Sequence, residues 1–111
     1  MSVAEAGVID MWGIPDWDRS KIELVISDHL GWEPEEEMEH LLMLQEKINA
    51  YISFIESGEI NTAIPSAAGK TPIIRVVGKS ALSKQAEAFI DRVTEVLSDA
   101  DIEFEFVLRQ G

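Results

Sequence analysis

The change of hydrophobic period along the second half of the chain limits the fold most. Leu82, Ala86, Phe89, Ile90, Val93, Val96 and Leu97 recur at helical spacing and predict an amphipathic helix over 81–98. Immediately after it, Ile102, Phe104, Phe106 and Leu108 alternate with Glu103 and Glu105, the pattern of a strand with one wet face. Before it, residues 72–77 place Ile74 and Val76 opposite Ile73, Arg75 and Val77, so both faces are largely apolar and an interior strand is expected. Parallel strands joined by a helix cross over with right-handed geometry.

The first half repeats the theme. Residues 8–12, Val-Ile-Asp-Met-Trp, predict a short strand. Residues 13–20 are punctuated by Gly, Pro and Asp and predict a loop. Ile22, Leu24 and Ile26 then alternate, so an antiparallel hairpin of two strands is expected. Glu33-Pro34 should open a long helix, because proline at a first-turn position loses no hydrogen bond. Glu35, Glu36 and Glu37 follow where the helix dipole favours anions. At about 100° per residue, Leu41, Leu44, Ile48, Tyr51, Ile52 and Ile55 share one face as the core stripe, and Gly58 should end the helix. Residues 59–71 predict a long, flexible connection.

The element order is thus β-β-α-β-α-β. The expected fold is α+β: a two-layer α/β sandwich with a four-stranded mixed sheet and two helices packed on one face. A chain of 111 residues makes one domain, 1–111, with 1–7 and 59–71 as its flexible parts.

Composition narrows the partners. The net charge is −12; residues 1–47 carry 12 acids against 3 bases, and residues 48–111 carry 9 against 6. Phosphate backbones and anionic membranes are therefore not expected partners, because both are recognised by clustered cations. An acidic face suits a basic protein instead. The absence of cysteine excludes disulfides, thiolate metal sites and a cysteine nucleophile, and it suits a cytoplasmic address. The opening MSVAEAGVID has no basic n-region or long apolar run, so no signal peptide is expected.

Residues 26–40, ISDHLGWEPEEEMEH, concentrate the polar chemistry. Ser27, Asp28 and His29 have the residue types of a nucleophile, an orienter and a base, but neighbours in a strand point to opposite faces and cannot form a relay. Asp28 reads as a turn residue. His29, Glu36 and His40 could ligate zinc or iron, and a metal-dependent hydrolase built on them, with Asp28, is the alternative reading. The spacing that fixes two histidines on one helix is missing, however, and no cofactor is expected. The five glutamates of residues 33–39 read as a solvated helix start. Gly69-Lys70-Thr71 is not a phosphate-binding loop, since Ile64 stands where the first glycine would be.

Two surfaces suggest binding. Of Trp12, Trp17 and Trp32, Trp17 lies on the predicted loop and is the one expected to be exposed. Met43, Ala50 and Phe54, linked through Lys47, form a second apolar patch on the first helix, expected to meet the second helix or a second copy of the chain in a homodimer.

Taken together, VID, ISDHLGW and HLLMLQEKINAYISFIESGEI resemble the pattern of a family of short bacterial proteins known only as a domain of unknown function, from Val8 to about Leu108. The resemblance implies a stand-alone cytoplasmic domain and no particular activity; such proteins can lie beside toxin systems. The pattern takes in Asp28, His29, Gln45 and Asn49, which implies a polar clasp between the exit of the second strand and the first helix. The function expected is a small acidic, non-enzymatic interaction module, homodimeric, that neutralises a basic partner such as a toxin.

Overall fold

The computed structural model describes residues 11–109. Four strands, β1 (Met11–Gly13), β2 (Lys21–Asp28), β3 (Thr71–Gly78) and β4 (Glu103–Leu108), lie side by side in chain order. β1 pairs antiparallel with β2, while β2–β3 and β3–β4 are parallel. Three helices connect them: α1 (Glu37–Glu56), the single-turn α2 (Glu59–Ala63) and α3 (Lys84–Asp99). Each crossover advances one strand in the same direction, so right-handedness puts α1 and α3 on one face of the sheet. The architecture is the expected α+β sandwich of one mixed sheet and one helical layer. The expected strand over 8–12 is seen as Met11–Gly13; residues 8–10, and the terminal stretch 1–7 expected to be flexible, lie outside the described residues.

Register sorts the side chains. Ile22, Leu24 and Ile26 of β2 stand beside Pro72, Ile74 and Val76 of β3, and Ile74 and Val76 beside Phe104 and Phe106 of β4. Ile22, Leu24, Ile26, Ile74, Val76 and Phe104 are buried and pack with Leu44, Ile48, Tyr51, Ile90 and Leu97 from the helices. The opposite face carries Lys21, Glu23 and Val25 of β2, Ile73 and Arg75 of β3, and Glu103 and Glu105 of β4. Gly78 ends β3 under the Phe106 ring, where a Cβ would come within 2.6 Å of the ring carbon Cε1.

Boundaries shift where local hydrogen bonding overrides periodicity. Residues 33–36 form a turn in which the Glu36 and Glu37 N–H groups donate to the Glu33 carbonyl (2.8 and 2.9 Å), and α1 begins only at Glu37. Gly58 follows α1 with φ of 83°, a left-handed conformation that glycine adopts without strain. α3 starts at Lys84 because Ser83 caps it, its hydroxyl accepting the Ala86 N–H at 3.1 Å.

Three expectations need correction. The stretch 59–71, expected as one long connection, holds α2 and a 3₁₀ turn (Pro65–Ala67), and Ile60, Ile64 and Ala67 are buried in the core. Val96 and Leu108, assigned to inward stripes, are 59% and 44% exposed. Leu108 occupies the last rung of an edge strand, opposite Gly78, and Val96 borders a groove between the helices.

Candidate functional site

The most enclosed polar chemistry lies where β2 passes into α1. The alternation that turns Ile22, Leu24 and Ile26 inward also turns Asp28 inward, and its side chain is 1% exposed. His40, on the first turn of α1, meets it with side-chain exposure equally low. The His40 Nε2 stands 2.7 Å from both carboxylate oxygens. Nδ1 stands 2.7 Å from the Gly31 carbonyl, which only accepts, so Nδ1–H is the donor there. The Nε2 contact is a hydrogen bond only with a proton between imidazole and carboxylate. Asp28 Oδ1 also accepts the Leu30 N–H at 3.2 Å. Trp32 stacks on the imidazole, ring centroids 3.5 Å apart and planes inclined by 15°.

This arrangement is a joint. Both imidazole nitrogens are committed to protein oxygens, and neither faces a cleft as a general base or a metal ligand would have to. Glu36 and His40 border one small hollow with Leu30 and Met43, but His29 is exposed. Among the described residues no group of three or more histidines and carboxylates is placed to hold a metal ion. The set His29, Glu36 and His40 is therefore not assembled as ligands. Ser27 is half-buried on the face opposite Asp28, as strand alternation requires.

The clasp residues separate. Asp28 engages His40, while His29, Gln45 and Asn49 are exposed. Gln45 and Asn49 instead stand on the rim of a groove of about 350 Å³ between α1 and α3, floored by Ile48, Ile52, Phe89, Val93 and Leu97.

The second apolar patch is also redistributed. Lys47 and Phe54 are buried within the chain, at 0% and 8% exposure, which removes both from any surface seam. Lys47 Nζ stands 5.6 Å from the centre of the Tyr51 ring, and Tyr51 donates its hydroxyl to the Val25 carbonyl at 2.8 Å. Phe54 belongs to the main core. Met43 and Ala50 are half-buried. The sheet and α2 together cover a wider arc of α1 than a single stripe, which is why this helix needs so much apolar surface.

On the open sheet face, Trp17 is 64% exposed. Lys21 Nζ lies 5.3 Å from its ring centre and 2.6 Å from Glu103 Oε2. Arg75 sits between Glu23 and Glu105, each at 2.5 Å. The hydrogen bond to Glu103 holds the Lys21 ammonium above its ordinary pKa.

The outer face of α1 carries an exposed apolar pair that the sequence reading does not single out. Met38 and Leu42, one helical turn apart, are 63% and 54% exposed. Exposed Glu35, Glu39 and Glu46 run along one flank of this pair, with Glu33 and Glu36 just before the helix. The signal was available: neither Met38 nor Leu42 lies on the stripe defined by Leu41, Leu44 and Ile48.

A family of unknown function, DUF6572, has a model that matches residues 1–110 of this chain. The chain belongs to that family. No match was found among curated proteins or solved structures. This DUF6572 domain has no helix, among the described residues, that is long and apolar enough to cross a membrane.

Proposed function

We propose that this DUF6572 domain is a non-enzymatic binding module that takes a basic protein partner on the outer face of α1. The observation that carries this reading is the exposed pair Met38 and Leu42 set among glutamates. An apolar centre supplies desolvated contact, and the surrounding carboxylates select and steer a cationic partner. The net charge of −12 extends that steering over the whole surface. The buried joint between Asp28 and His40 fixes the start of α1 against the sheet, which keeps the face preorganised. A chain with no cysteine suits a cytoplasmic setting, and neutralisation of a basic toxin is the specific role such a face fits.

Titration of the ¹⁵N-labelled protein with a defined Lys/Leu amphipathic peptide tests the face. Shift changes should concentrate at residues 33–46, and affinity should fall between 50 and 200 mM salt, the screening range of exposed charges. Leu42→Asp should weaken binding about tenfold or more, the loss expected for a central apolar contact. Shifts scattered over the whole acidic surface and indifferent to Leu42→Asp would remove the proposal.

A further inference from the structure

The groove between α1 and α3 carries a separate inference. Ile52, Phe89 and Val93 are half-buried between its two walls, over a floor that includes the buried Ile48. Val96 stands on the α3 wall with 59% of its surface exposed. A hole and a protruding apolar side chain thus occur on the same surface. Self-complementarity of that kind is what a two-fold interface requires, since each copy must present both halves of the contact.

Charge separates the possible occupants. Arg92 lines the groove, and Asp91 and Glu95 of the same helix are exposed beside it. A uniformly basic segment would be opposed by Arg92, and a uniformly acidic one by Asp91 and Glu95. The α3 helix of another copy carries both signs. Run antiparallel, it brings Arg92 of each copy to Glu95 of the other. Gln45 and Asn49, exposed on the α1 wall, supply a polar rim.

We infer that the α1–α3 groove is the seat of a second copy of this chain, with Val96 of each protomer inserted between α1 and α3 of the other. Gln45 and Asn49 adjoin Leu42 along α1, so the two surfaces border one another, and Val96→Glu, on α3, tests the dimer apart from the basic partner.

Sedimentation velocity of the full chain from about 1 to 500 µM decides it. Dimer is expected within that range, and Val96→Glu should shift the midpoint at least tenfold toward monomer. Because Val96 is exposed, that variant should keep its fold, which its amide spectrum checks. Arg92→Glu should weaken the dimer by a similar factor, and adding Glu95→Arg should restore it by reversing both charges of the symmetric pair. Monomer at 500 µM overturns the inference. So does a dimer that Val96→Glu leaves unchanged, or an Arg92→Glu loss that Glu95→Arg does not repair.

Discussion

Two clusters of paired polar side chains occupy opposite faces of the same sheet. Beneath the helices, Asp28 and His40 meet with 1% of each side chain exposed. On the open face, Arg75, Glu23 and Glu105 meet with 26%, 14% and 44% exposed. Contact distances are similar, so distance does not separate them. Solvent does. Removing one partner from the buried pair strands polar groups that water cannot reach, whereas on the open face Arg75 and Glu105 can rehydrate and only Glu23 Oε2 is enclosed. The helix-side pair therefore fixes how α1 joins the sheet, and the open-face set trims an exposed surface.

The comparison breaks most readily at the buried pair. His40→Ala and Asp28→Ala should each cost about 3 kcal/mol or more in urea unfolding, as expected when one member of a buried hydrogen-bonded pair is deleted. The double variant should cost clearly less than the sum, because the second deletion removes a group already stranded. Additive costs would mean that the two residues act separately.

Glu105→Gln, at the exposed end of the set, should cost about 1 kcal/mol or less, and the cost should shrink at high salt. If that variant proved as damaging as His40→Ala, burial would not be what distinguishes the two faces.

The smallest effect sharpens the same point at a surface loop. Hydrogen bonds from the Ser20 hydroxyl and then its N–H, with Lys21 nearby, hold the Asp18 carboxyl below the ordinary aspartate pKa. Asp18 therefore contributes stability above that ordinary value, about 3.9, and loses it as pH falls through the lowered folded value. The stability gap between wild type and Asp18→Asn should be flat from neutral pH to about 5 and close below about 4. A gap that persisted into stronger acid would show that the Asp18→Asn variant lacks something other than charge.

Most of the fold was legible because hydrophobic period survives in a single sequence. β2, β3, β4 and α3 each carry one clean period, and the order of those periods dictates the crossovers. The segment after α1 was misread because Pro65 and Gly69 suggested a loop. Yet Ile60, Ile64 and Ala67 recur at i, i+4 and i+7, a helical spacing compressed into a very short run. For the joint, half the information was present: continuing the alternation of β2 by one more step turns Asp28 inward. Its partner lies 12 residues away across a turn, and only the packing of α1 on the sheet selects His40 over Gln45 or Asn49. The Met43–Phe54 patch was legible as apolar but not as buried, since the sequence does not show that α2 folds back beside α1.

The order β1-β2-β3-β4 also bears on how the chain folds. Every strand neighbours its predecessor, so no pairing waits for a segment inserted from elsewhere. Lys21 pairs with Thr71 across 50 residues, and Ile73 pairs with Glu103 across 30. Closing the shorter loop is entropically cheaper by about 0.5 kcal/mol, and its helix has a side-chain cap where α1 has none. The β3-α3-β4 unit is thus the cheaper nucleus, onto which α1, β2 and β1 would add toward the N-terminus.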